Sequence, residues 1–110
     1  MVFQELVVEV DESNYEELFD KDLAVLSFIS DLQMNCLMCL PMMENIAEEF
    51  HNVFFGKVNI EEAEIIAKKC NICSLPTVVF FRNGQQIDRI ESSVHEDILR
   101  EKLCNLYGFC

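Results

Sequence analysis

The chain has 110 residues, 51% of them apolar, and a net charge of -12. This suffices for one compact domain over residues 1–110 and leaves no room for a second core. Such acidity argues against nucleic acid as a partner, since phosphate backbones are held by Lys and Arg that displace counterions; it reads as a solvated surface, with no cluster in the sequence that marks a site for basic partners.

The opening Met1-Val2-Phe3-Gln4-Glu5 lacks the basic and apolar regions of a signal peptide, and no apolar run reaches the roughly 20 residues that span a bilayer. A cytoplasmic location without membrane contact is expected. Residues 6–10 read as a first strand. Ser13 and Glu16 have capping-box spacing and predict a short helix through Leu18 and Phe19. Residues 23–30 are strongly apolar, as a strand buried on both faces would be. After Cys36 and Cys39, the residues Met42, Met43, Ile46, Ala47 and Phe50 recur at helical spacing, with Glu44, Glu48 and Glu49 on the other side. A strand over 53–59, a helix over 61–70 and a strand over 77–82 follow. Asn83-Gly84 then predicts a hairpin turn into a strand over 85–90. Ser93 and Glu96 repeat the capping-box spacing before a last amphipathic helix carrying Ile98, Leu99, Leu103 and Leu106. The order β-α-β-α-β-α-β-β-α is that of an α/β sandwich, with helices on both faces of a central mixed sheet.

Six cysteines in a chain this small could form a disulfide scaffold, but such scaffolds are secreted and replace a core that this sequence can build. Redox or metal chemistry is the better reading. Cys36 and Cys39 form one Cys-x-x-Cys pair in a strand-to-helix context, the setting of redox thiols; Cys70 and Cys73 form a second. Cys104 is expected to pack in the last helix and Cys110 to be an exposed thiol. Together the two pairs could also make a four-thiolate zinc site, with sulfurs about 2.3 Å from the metal. His51 and His95 lack ligand spacing to another His, so no metal role is assigned to them.

Four segments in order resemble the thioredoxin family and cover nearly the whole chain. Pro41-Met42-Met43-Glu44-Asn45-Ile46-Ala47-Glu48-Glu49-Phe50 resembles its second helix with the internal proline. Lys57-Val58-Asn59-Ile60-Glu61 is similar to its Lys-x-Asn-Ile-Asp strand end. Ser74-Leu75-Pro76-Thr77, followed by Val78 through Gly84, resembles its cis-proline strand and hairpin. The resemblance implies a three-layer sandwich with about four helices and a thiol-disulfide oxidoreductase acting on protein disulfides. It implies no bound cofactor and an external thioredoxin-type reductase as electron donor. Leu75 and Pro76 would contact the substrate chain, the Leu75 backbone pairing with an extended segment. Lys57 would be a supporting residue, retained where Ser27 takes the place of the family's buried aspartate.

Two registers fit the cysteines. In one, the helix starts near Leu37, Cys36 gains thiolate stabilisation from unpaired N–H groups and the helix dipole, and Cys39 resolves the mixed disulfide. In the other, an alignment without gaps from Ser27 to Phe50 puts Gln33-Met34-Asn35-Cys36 where the family has Cys-Gly-Pro-Cys. The helix then starts near Met34, Cys36 lies deeper, and the chain is a redox-inactive protein-binding module. The segment before Pro76 would pass near this helix, so Cys73 could act with Cys70 as a second redox pair, or approach Cys36.

Overall fold

Apolar residues on both sides of Leu23–Ile29 place that strand, β2, in the middle of a sheet, where water reaches neither face. The computed structural model, which describes residues 6–91 and 94–108, has five strands in the order β1-β3-β2-β4-β5. The edge strand β1 is Val7–Glu9 and runs parallel to β3, Phe54–Asn59, which is in turn parallel to β2. On the other side β4, Thr77–Arg82, is antiparallel to β2, and β5, Gln85–Glu91, is antiparallel to β4. Asn83 and Gly84 both have positive φ (52° and 80°), the backbone that a two-residue hairpin turn requires.

Alternation along the strands divides the core in two. Val25, Val78 and Phe80 point to one face, against helices α2, Cys39–Glu49, and α4, Glu96–Tyr107. Leu26, Phe28, Val79 and Phe81 point to the other, against the 3-10 segment Tyr15–Asp20 and α3, Glu64–Lys69. The short helix α1, Met34–Leu37, precedes α2, from which Met38 alone separates it. The expected three layers with four α-helices are present.

Three local expectations are corrected. Ser13 does not cap a helix: its hydroxyl and N–H bond to the Asp11 carboxylate, and the segment that follows is a 3-10 turn with no side-chain cap. The helix expected over 61–70 is shortened at its start. The Asn59 side-chain carbonyl accepts the Glu61 N–H and the Asn59 backbone carbonyl accepts those of Glu62 and Ala63, so residues 60–62 form a turn. Residue His95, with no side-chain cap bond, holds the N-cap position of α4; Ser93 lies outside the described residues.

α4 is fastened to the sheet at its last turn. The Tyr107 hydroxyl lies 3.0 Å from the Ala24 carbonyl of β2 and 2.9 Å from the Phe81 carbonyl of β4. Burial pushes its pKa up to about 12.

Candidate functional site

Strand β2 ends at Ile29, and the chain turns through Ser30 and Asp31 into α1. The Leu32 N–H bonds to Ser30 Oγ, which donates to Glu61 Oε1 at 2.6 Å. Gln33 is extended (φ -119°, ψ 124°) and occupies the N-cap position; its backbone carbonyl accepts the N–H groups of Cys36 and Leu37. The helix therefore starts at Met34, not near Leu37. Cys36, the expected nucleophile, sits in the third helical position with 0% exposure, so its sulfur is closed off from a substrate disulfide in this conformation.

The two thiols of this pair make different contacts. Cys36 Sγ lies 4.0 Å from Gln33 Oε1. Cys39 Sγ donates to the Asn35 carbonyl at 3.5 Å and is 6% exposed. Burial pushes the Cys39 thiol above its ordinary value, and the neighbouring Cys36 adds to the shift. Cys39 thus stays a protonated thiol at neutral pH. Both cysteines are free.

Leu75 and Pro76 come alongside. The Leu75–Pro76 peptide is cis, and Asn35 Nδ2 lies 3.5 Å from the Leu75 carbonyl. Pro76, Cys39, Asn35, Met38, Val94 and His95 line a groove of about 350 Å³. A second groove of about 310 Å³ runs on the Gln33 side, with Ile60, Ile72, Cys73 and Leu75 in its walls. A cavity of about 420 Å³ lies at the opposite ends of β2 and β3, beside Asp22 and His51, with no thiol in its lining. The two smaller grooves, which have Cys39, Cys73, Leu75 and Pro76 in their walls with Cys36 buried behind Gln33, are the candidate site.

The second cysteine pair is divided. Cys73 is exposed and free in the Gln33 groove, while Cys70 is buried in the core beside Tyr15. Burial pushes the Cys70 thiol up against the lowering effects of the Tyr15 hydrogen bond and of Arg89. No group of three or more His, Cys, Asp or Glu side chains placed to hold a metal occurs among the described residues, so the four-thiolate site is not formed. Cys104 is disulfide-bonded, and Cys110 lies outside the described residues.

Lys57 is half-buried on β3, opposite Ser27 of β2 in the ladder. It forms no ion pair among the described residues, and Glu61 receives the Ser30 hydroxyl instead. The Ser27 hydroxyl is fully buried and has no hydrogen-bond partner among the described residues.

The Thioredoxin family profile matches residues 6–105. The chain belongs to the thioredoxin family. It is 30% identical to thioredoxin H5 of Arabidopsis thaliana over 102 residues, 93% of this chain and 80% of the relative. It is 28% identical to the thioredoxin of Chlamydia caviae over 94 residues, covering 86% and 92% of the two chains. The crystal structure of thioredoxin from Trypanosoma brucei brucei superposes with a TM-score of 0.84 at 28% identity, covering 98% of this chain and 97% of that one. Membership of this thioredoxin family supports, in general terms, a thiol-disulfide oxidoreductase role. Thioredoxins act on protein disulfides and are reduced by reductases.

Sequence reasoning missed three participants. Gln33, which the ungapped register places where the family has its first cysteine, holds the N-cap position of α1 and touches Cys36 with its side chain. Asn35 and His95 line the Pro76 groove, and neither belongs to a pattern that periodicity or spacing would single out.

Proposed function

We propose that this protein exchanges thiols with protein disulfides presented as extended segments along Leu75 and Pro76, in the cytoplasm, with an external thioredoxin-type reductase restoring its dithiol. The observation that carries this reading is the placement of free thiols on both sides of the α1 start, next to the Leu75–Pro76 turn.

In the pair assigned from sequence, the Cys36 thiolate attacks one substrate sulfur and the other leaves as a thiolate that takes a proton. Cys39 then attacks Cys36 Sγ, releasing the second substrate thiol and leaving a Cys36–Cys39 disulfide. Cys36 lies in α1 and Cys39 opens α2, and their backbones have to hold the Cβ atoms roughly 3.5–4.5 Å apart across Met38 for that last bond to close. The break at Met38 is where the α1 turn would have to open.

A second reading is favoured by Gln33 at the N-cap and by the burial of Cys36: a thioredoxin-fold module that binds extended protein segments without turnover. A redox titration with differential alkylation and peptide mapping decides between them. A reversible intramolecular disulfide at Cys36, at roughly -200 to -300 mV, supports exchange. Cys36 reduced throughout that range gives the binding module.

A further inference from the structure

We infer that the partner of Cys36 in exchange is Cys73, reached across the Gln33 groove. This rests on the thiol-exchange reading above and changes the residue that attacks the substrate.

The contacts of the two helical thiols favour it. Cys36 Sγ contacts the Gln33 side chain, and Gln33 shares its groove with Cys73. Cys39 Sγ donates to the Asn35 carbonyl at 3.5 Å, as Cys73 Sγ does to the Asn71 carbonyl at 3.7 Å, but Cys39 borders the other groove, beside Pro76 and His95. The Gln33 side chain, which touches Cys36 Sγ, is thus also a wall of the groove that holds the exposed Cys73 thiol. Gln33 is itself exposed, so its amide can swing into solvent at the loss of a weak contact.

Backbone freedom favours it as well. Cys73 lies outside regular structure, between α3 and β4, two residues after Asn71 with its positive φ of 55°. A shift of Cys73 toward Cys36 would unwind no helix, whereas a Cys36–Cys39 bond has to draw the ends of α1 and α2 together. Cys70 is no rival, because its thiol is buried in the core beside Tyr15. Exposure suits Cys73 to the first attack, and burial suits Cys36 to the second.

The step balances. The Cys73 thiolate attacks a substrate disulfide; the substrate S–S bond breaks, and the leaving sulfur departs as a thiolate that takes a proton from water. Cys36 loses its proton through the opened groove and attacks Cys73 Sγ. The bond between Cys73 and the substrate breaks, and the second substrate sulfur leaves and is protonated. The substrate gains two electrons and two protons, and the protein holds a Cys36–Cys73 disulfide that an external dithiol reductant returns to thiols.

The test uses the full chain, equilibrated in dithiothreitol buffers of graded potential, acid-quenched and alkylated. Cyanogen bromide cleaves after Met34 and Met38, separating Cys36 in residues 35–38 from Cys39; trypsin then releases residues 70–82, in which fragment-ion sequencing tells Cys73 from an alkylated Cys70. The expected product is a monomer with the Cys36 peptide joined to the Cys73 peptide and Cys39 alkylated. A Cys36–Cys39 bond with Cys73 alkylated overturns this inference and leaves thiol exchange standing. A bond from Cys73 only to a second copy overturns it too. No reversible bond at Cys36 overturns both. Because Cys73 is exposed, Cys73→Ser should fold normally and lose the dithiothreitol-driven reduction of insulin; an unchanged rate overturns the inference.

Discussion

The Cys36 thiol and the Gln33 amide oxygen are 4.0 Å apart, so the side chain at the N-cap of α1 covers the thiol one turn further in. An exposed glutamine thereby shields a cysteine with no exposure of its own. In the native reduced protein, iodoacetamide should label Cys73 first, with Cys36 and Cys39 much slower and Cys70, in the core, protected until unfolding. Gln33→Ala should make Cys36 labelling faster while leaving the labelling of Cys70 unchanged. Mass mapping against time checks both, and equal rates for Cys36 and Cys73 in the native chain would contradict the burial of Cys36.

Stability should fall on the alkaline side. Burial raises the folded-state values of Cys39, Cys70, Tyr15 and Tyr107, each an acid whose neutral form the folded state prefers. The unfolded chain loses these protons first, so the stabilisation is complete below the ordinary thiol value of 9.0 and declines as pH rises from there toward the raised folded values. Urea midpoints at pH 8 and pH 10.5 should differ in that direction, and Cys39→Ala should flatten part of the slope.

Tyr107→Phe removes the hydroxyl shared by the Ala24 and Phe81 carbonyls. One buried hydrogen bond is worth about 1 kcal/mol net, and an acceptor left dry adds to the loss. The variant should unfold at lower urea with an unchanged slope and leave thiol labelling as it was.

Ser27→Ala should act in the opposite sense. Its hydroxyl is buried without a partner among the described residues, and an unsatisfied buried polar atom costs about 1–3 kcal/mol. Thermal melts of the variant should shift upward. A clear drop would contradict the unpartnered state of the hydroxyl.

Much of the fold was legible because its signals are local. The apolar run of β2, the Asn83-Gly84 turn and the spacing of Met43, Ile46 and Ala47 each declare their element within a few residues. The helix start was not legible, since Cys36 and Cys39 keep redox spacing in either register. Only burial and the Gln33 cap distinguish them. One acidic cluster was not legible for another reason: Glu9, Asp11, Asp31 and Glu62 are scattered in sequence and meet only in the fold. There Glu9 foremost, then Asp31 and Asp11, raise the Glu62 carboxyl above its ordinary range.

The break at Met38 gives α1 a separate thermal life. Its four residues are held by few backbone bonds, among them Leu37 to Gln33 and Met38 to Met34, and exposed Leu32, Met34 and Met38 contribute little burial around it. Cooperative units with so few contacts open at a small fraction of the global unfolding free energy. Amide protons of Leu37 and Met38 should therefore exchange with solvent long before those in the middle of α2, giving Cys36 a schedule of exposure set by one turn rather than by the whole domain.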